Sequence, residues 1–160
     1  MDEIVEKIYA NQIIINSICF SFCNDRADRE DLFQEIVYRV LKSYRHFREQ
    51  STFSTWLYRV ALNTAITYRK KKRPELYDGK SVLPANDNIT EDEDLEEDIK
   101  LLYESISRLS KIDRAIILLY LDEHSYEEIS EITGFTAKNI SVKIHRIKKK
   151  LHEIYIQLSD

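Results

Sequence analysis

The chain has 160 residues, 43% of them hydrophobic and 32% charged, with a formal net charge of −4. That length holds one ordinary folded domain or two small ones, and no apolar run approaches the ~20 residues of a membrane-spanning helix. The acidic start, MDEIVEKIYA, has no basic segment of the kind that opens a secretory signal, so a cytoplasmic protein is expected.

The average charge conceals a pattern. Residues 1–74 carry 13 Lys/Arg against 9 Asp/Glu, residues 75–100 carry 2 against 10, and residues 101–160 carry 9 of each. The acid is therefore concentrated in the middle of the chain, and the basic residues decide what the flanking parts can bind. Glycine and proline number two each, and Pro74, Gly79 and Pro84 fall within one short stretch. A chain so poor in breakers elsewhere is expected to be built of helices.

The first predicted helix covers roughly residues 2–23. Cys19 and Cys23, four apart, share one of its faces and read as two buried, reduced thiols. No His or Cys at matched spacing completes a metal site, so neither metal nor cofactor is expected. The second helix starts near Asp28, taken as its N-cap, with Asp31 in the first turn. Leu32, Ile36, Val40 and Tyr44 recur at every fourth position and mark its buried face, opposite Asp31, Gln34, Glu35, Tyr38 and Lys42. A third helix runs over about 53–72, with Phe53, Leu57, Val60, Ala61 and Thr64 along one side. The basic run 69–73 ends it, where cations suit the helix dipole, and Pro74 stops it. Residues 75–94 (ELYDGKSVLPANDNITEDED) hold too little apolar surface to order themselves and are expected to be a flexible acidic linker.

The C-terminal unit starts near Leu95. Leu101, Leu102, Ser105 and Leu109 lead into a helix over 111–121, apolar through Ile112, Ile116 and Leu119. Two shorter helices follow. Ser125 and Glu128 form a capping box for the first, whose inner side is Ile129 and Ile132. Gly134 is the only glycine outside 75–94 and stands where a sharp turn between packed helices needs positive φ. Thr136 then caps the second helix.

On that second helix Ile140, Ile144, Ile147 and Leu151 point inward. Lys138, Asn139, Val142, His145, Arg146 and Lys149 lie on the opposite side, flanked by Lys143, Lys148 and Lys150. Residues 136–152 contain six Lys/Arg and no acid. A helix that enters the major groove needs side chains for base edges along its middle and cations for phosphates at its margins. A charge run alone more often marks a solvated face. Here capping box, turn glycine and one-sided charge occur together, and the reading is a DNA-binding helix-turn-helix.

Two blocks carry a wider resemblance. DREDLFQEIVYRVLKSYRHF, followed by FSTWLYRVALNTAITYRKKKR, resembles region 2 of the extracytoplasmic function (ECF) sigma factors of the sigma-70 family, with patterns near D-x-x-D-L-x-Q-E-x-F and F-x-x-W-L-x-R-I-A-x-N. Residues 107–154, with SYEEISEITGF and a basic helix after it, resemble their region 4. The resemblance implies an all-α protein of two small helical domains, a region 2-like three-helix bundle over 1–74 and a region 4-like helix-turn-helix over 95–160, joined by the linker 75–94.

It further implies a sigma factor that binds core RNA polymerase, through the β′ clamp helices and the β flap, and directs initiation at promoters. It implies no enzymatic activity, and an anti-sigma factor as a further partner. The residues matching the polymerase-binding motif are Asp31, Leu32, Gln34 and Glu35. Opening a promoter's −10 element needs aromatics for unpaired bases and cations for the backbone, and the candidates are Phe47, Arg48, Ser51, Arg59, Asn63 and Arg69. Trp56 and Phe53 fit a core as well as a stack, and Trp56 is read as core. The candidates for the −35 element are Thr136, Lys138, Asn139, Val142, Lys143, His145, Arg146 and Lys149. Departures from the family pattern are Thr67, where Asp is frequent, and Asn139 and Ser141, where Thr and Lys are common.

The alternative is a stand-alone helix-turn-helix regulator with an N-terminal sensing or dimerising unit. Such a protein has no need of the D-L-x-Q-E helix or of W-L-Y-R-V-A-L-N. A helical enzyme is remote, because no paired catalytic carboxylates, nucleophile elbow or phosphate loop is apparent.

Overall fold

In a computed structural model, residues 2–68 and 93–160 are described, and they form eight α-helices and one 3₁₀ turn without a strand. The N-terminal unit comprises α1 (Asp2–Ala10), α2 (Gln12–Phe22), α3 (Arg26–Ser43), the 3₁₀ turn Tyr44–His46 and α4 (Phe53–Thr67). The C-terminal unit comprises α5 (Glu93–Ser107), α6 (Lys111–Leu121), α7 (Tyr126–Thr133) and α8 (Ala137–Ser159).

The single N-terminal helix expected over 2–23 is broken at Asn11. Its side-chain Nδ2 donates to the Lys7 carbonyl at 2.8 Å, and its backbone leaves the helical region at φ −115°, ψ 17°. An Asn side chain competes with the peptide for helix hydrogen bonds, and here it interrupts the helix. The cap of α3 also differs from expectation. Asp25, not Asp28, is the N-cap and accepts the Asp28 N–H at 2.8 Å, while Asp28 is buried in the first turn. Helix α4 starts where expected, with Thr52 Oγ1 accepting the Thr55 N–H at 3.2 Å, but it ends at Thr67, with Tyr68 extended. The basic run 69–73 and almost all of the expected linker lie outside the described residues.

Helices α2, α3 and α4 enclose Ile15, Ile18, Leu32, Ile36, Val40, Leu57 and Ala61. Leu32, Ile36 and Val40 are the expected buried face of α3, and Tyr44 at its end is half-buried. Cys19 and Cys23 are both buried, and burial pushes the Cys19 thiol up to about 12, which suppresses the reactive thiolate.

Helix α6 coincides with the predicted span, capped by Ser110. Five consecutive residues, Ala115–Leu119, are buried, whereas Ile112 is 40% exposed. A helix buried around most of its circumference has neighbours on several sides: α6 packs on α5, α7 and α8 within its own unit and on α2 and α4 of the other. The apolar interior is therefore continuous between the units. Buried Thr64, Ser105 and Ser21 satisfy their hydroxyls by donating to carbonyls four residues back. Among the described residues no helix is long and apolar enough to cross a membrane.

Candidate nucleic-acid interface

The helix-turn-helix forms as its caps require. The Ser125 hydroxyl oxygen accepts the Glu128 N–H at 3.1 Å, and Glu128 Oε1 accepts the Ser125 N–H at 3.1 Å, completing the capping box. The Ser125 backbone N–H first, and its side chain next, hold the Glu128 carboxyl below the usual carboxylate range. Gly134 ends α7 in the left-handed region at φ +86°, donating its N–H to the Ser130 carbonyl at 2.8 Å. Ser130 Oγ donates in turn to the Phe135 carbonyl, closing the turn. Thr136 Oγ1 accepts the Asn139 N–H at 3.1 Å and starts α8.

Helix α8 is the longest described helix, 23 residues, rather than a short one. Ile140, Ile144 and Ile147 are enclosed between α5, α6 and α7, with Leu151 half-buried. Lys138, Asn139, Val142, His145, Arg146 and Lys149 all lie exposed on the outer side, Val142 at 61%. The apolar exposure of Val142 amid cations has no packing purpose within the chain. Two flanking lysines are held in place. Lys143 lies 4.7 Å above the Phe135 ring, and Lys148 donates to the Tyr120 hydroxyl at 2.9 Å while lying 4.7 Å over that ring. Thr136 is exposed, but its hydroxyl oxygen is committed to the cap.

In the N-terminal unit the candidate residues divide. Four aromatic rings gather where the end of α3 meets the start of α4. Phe47 lies 5.1 Å from Trp56, 6.0 Å from Phe53 and 6.0 Å from Tyr44, and Trp56 lies 5.7 Å from Phe53 and 6.2 Å from Tyr44. All four are half-buried, so Trp56 is neither fully core nor fully surface. Arg48 is exposed and Ser51 half-buried on the loop that follows, where Glu49 takes a left-handed φ of 57°. On α4 nearly every position is enclosed, and Arg59, Asn63 and Thr67 form its one exposed stripe. Arg59 is not simply solvated: its Nη2 donates to the Glu131 carbonyl of α7 at 2.6 Å. Arg69 lies outside the described residues.

On α3, Gln34 is exposed and Glu35 is half-exposed, bonded to Arg39 at 3.1 Å, while Asp31 is of intermediate burial. Leu32 is 0% exposed. It holds the helix against α2 and α4 and offers no side-chain surface to a partner, so its place in the candidate contact set is corrected to a core position.

Sequence reasoning missed the contacts between the units. The Tyr58 hydroxyl donates to Asp122 Oδ2 at 2.6 Å, and the Tyr58 ring meets His124 edge-on at 4.9 Å. Burial and that carboxylate raise the Tyr58 phenol, so it stays protonated. Lys111 Nζ donates to the Ile66 carbonyl at 3.2 Å. No periodicity signals such contacts, because Tyr58 falls among the apolar positions of α4.

An all-α chain with a capped helix-turn-helix, a cationic outer face on its second helix and a separate ring cluster defines a DNA-binding protein of the helix-turn-helix class. Comparison with known proteins narrows this. Residues 9–75 match the family model of sigma-70 region 2, and residues 99–151 that of sigma-70 region 4. The ECF RNA polymerase sigma factor SigW of Bacillus subtilis is 30% identical over 162 residues, covering 93% of this chain and 86% of that protein. The ECF RNA polymerase sigma-E factor of Haemophilus influenzae is 31% identical over 140 residues, covering 79% and 74%. The fold is shared with the sigma factor RpoE of Bartonella quintana, solved with the anti-sigma factor NepR (TM-score 0.63, 17% identity, 96% of this chain and 97% of that one). It is shared too with CnrH, solved with the cytosolic domain of CnrY (TM-score 0.66, 16% identity, 94% and 86%). The chain belongs to the ECF group of sigma-70 family sigma factors, non-enzymatic proteins that direct RNA polymerase in transcription initiation.

Proposed function

We propose that the two units divide promoter recognition between them: 95–160 reads the −35 element as duplex through α8, and 1–74 docks on core polymerase and holds the opened −10 element. The observation that carries this reading is the outer face of α8, where exposed Lys138, Asn139, Val142, His145, Arg146 and Lys149 stand together without an acidic neighbour on residues 136–152. Cations follow phosphates, while Asn139, Arg146 and Val142 are of the types that read base edges and thymine methyls. Lys143 is restrained over Phe135 at the start of the helix, where a margin cation is useful.

In the N-terminal unit, Phe47 and its ring partners supply stacking surface, and Arg48, Ser51, Arg59, Asn63 and Arg69 supply the polar and cationic surroundings of a single strand. Asp31, Gln34 and Glu35 on α3 face core polymerase. The residues 75–94 join the two units. The protein acts in the cytoplasm, where polymerase works, and an anti-sigma factor is its regulator, by analogy with the complex of RpoE with NepR.

Run-off transcription with core polymerase tests the reading, using candidate promoters that include the one upstream of its own gene. Specific transcripts are expected with the wild-type chain. Gln34→Ala with Glu35→Ala should weaken polymerase binding and leave duplex binding intact. A chain that binds duplex but never binds core polymerase would make it a stand-alone regulator instead.

A further inference from the structure

Helix α1 stands largely outside the region matched to the sigma-70 family, which begins at residue 9. Its inner side, Ile4 and Ile8, is buried. Lys7 lies beside that apolar pair, its side chain 31% exposed and its ammonium turned towards the ring cluster. Nζ donates to the Tyr44 hydroxyl at 3.2 Å, lies 5.5 Å from the centre of the Tyr44 ring and 5.6 Å from that of Phe53, and pairs with Glu3 at 3.3 Å. One cation thus touches two of the four rings in the cluster, one from the 3₁₀ turn after α3 and one from the first turn of α4. The other two, Phe47 and Trp56, are the closest pair within the cluster, 5.1 Å apart.

We propose that Lys7 is a positioning residue for the ring cluster, clamping Tyr44 and Phe53 so that Phe47 and Trp56 are held ready to stack on an unpaired base; the inference rests on the −10 reading above.

The physical argument has three parts. A flipped base is bound well only by rings already in place, since ordering them at the moment of binding costs affinity. Tyr44, Phe53 and Trp56 pack against the core, whereas Phe47 stands on the loop after the 3₁₀ turn and depends on its ring neighbours for its position, and the left-handed Glu49 lies in that same loop. A cation within 6 Å of two ring centres, with a directional hydrogen bond to the hydroxyl of one of them, ties the two rings to one point. Its partners sustain the charge: the Tyr44 hydroxyl, ahead of Glu3, raises the Lys7 ammonium above its ordinary value. Lys7 touches neither polymerase candidates on α3 nor the helix-turn-helix, so its effect should be confined to single-strand binding.

Trp56 is the only tryptophan in the chain and lies inside the cluster, so its fluorescence reports directly on stacking. The full chain is titrated with a ten-nucleotide oligothymidylate, a probe that stacks without demanding a sequence. Wild-type emission should be quenched. Lys7→Met should raise the half-quenching concentration about three- to tenfold and alter the emission of the free protein. Lys7→Arg, which keeps cation and donor, should restore binding to within about twofold, and Tyr44→Phe should reproduce part of the Lys7→Met loss and add little to it in the double variant. Binding to a duplex should not change. If Lys7→Met fails to fold, Lys7→Arg and Tyr44→Phe carry the same comparison. Wild-type titration curves for Lys7→Met and Tyr44→Phe, alongside lost quenching for Phe47→Ala, would overturn the clamp and leave the −10 reading standing. Absence of quenching in the wild type itself would overturn the stacking reading, and the clamp with it.

Discussion

Charge on α8 gives a prediction that can be worked to a number. Lys143 and Lys149 both lie on the outer half of α8, the first leaning on Phe135 and the second exposed. If each sits against a duplex phosphate, replacing both by Gln removes two counterion-releasing contacts. The logarithm of affinity falls with the logarithm of salt by about 0.9 per contact, so the slope should flatten by about 1.8, and between roughly 50 and 200 mM salt the double variant should lose about tenfold less affinity than the wild type. Phosphate contacts are blind to sequence, so any random duplex of about two helical turns serves as ligand, with fluorescence anisotropy as readout. Lys148→Gln is the internal control. Its ammonium is tied to the Tyr120 hydroxyl and ring, so its slope change should be well below that of Lys149→Gln. An unchanged slope for the double variant would mean that this face does not meet the phosphates.

The helix-turn-helix itself supplies three further expectations. Gly134→Ala places a Cβ in open space, with nothing within 4 Å, so its whole cost is the left-handed φ of +86°: about 1–2 kcal/mol, read as a fall of several degrees in thermal midpoint. Ile144→Ala empties a fully packed position among α5, α6 and α7 and should cost about 2–5 kcal/mol by urea denaturation. The third is a pH dependence. The folded Glu128 carboxyl is held below its unfolded value, so its contribution is present above the ordinary glutamate range and is lost as pH falls through the depressed folded value. Melting curves across that acid range should show a shallower loss for Glu128→Gln than for wild type; parallel curves would remove the capping box from the acid response.

Legibility in the sequence followed the physics of each signal. The elements written in local chemistry were read correctly: the Ser125–Glu128 box, Gly134 at positive φ, the Thr136 cap and the span of α6 each depend on residues within a turn of one another. The buried stripe Leu32–Ile36–Val40 followed from period alone. What failed was competition between equivalent local choices. Asp25 and Asp28 are both plausible caps three residues apart, and only the backbone geometry chooses Asp25. Asn11 interrupts a stretch whose apolar pattern continues through it, because its amide reaches back to Lys7. Leu32 sits inside a motif otherwise turned outward, and a motif match does not separate the residue that faces a partner from the one that holds the helix. Ring–ring and cation–ring contacts among Lys7, Tyr44, Phe47, Phe53 and Trp56 join positions up to 46 apart in the chain, beyond the reach of any periodicity.

The contact between the units bears most directly on how the two halves of promoter recognition are related. The last-turn carbonyls of a helix have no partner within it and attract a cation. Glu131 offers such a carbonyl near the end of α7, and Arg59 of α4 fills the need at 2.6 Å. Tyr58, one residue earlier, bonds to Asp122 at the end of α6, so two adjacent residues of α4 bind the C-terminal ends of α6 and α7. Arg59 also belongs to the only exposed stripe on α4, the surface the −10 reading assigns to DNA. The guanidinium commits one of its two Nη atoms to α7 and keeps further N–H groups on the exposed side of α4. On the reading proposed here, the α4–α7 bond and a strand at Arg59 therefore draw on the same guanidinium, and the cap on α7 is coupled to binding at the −10 element.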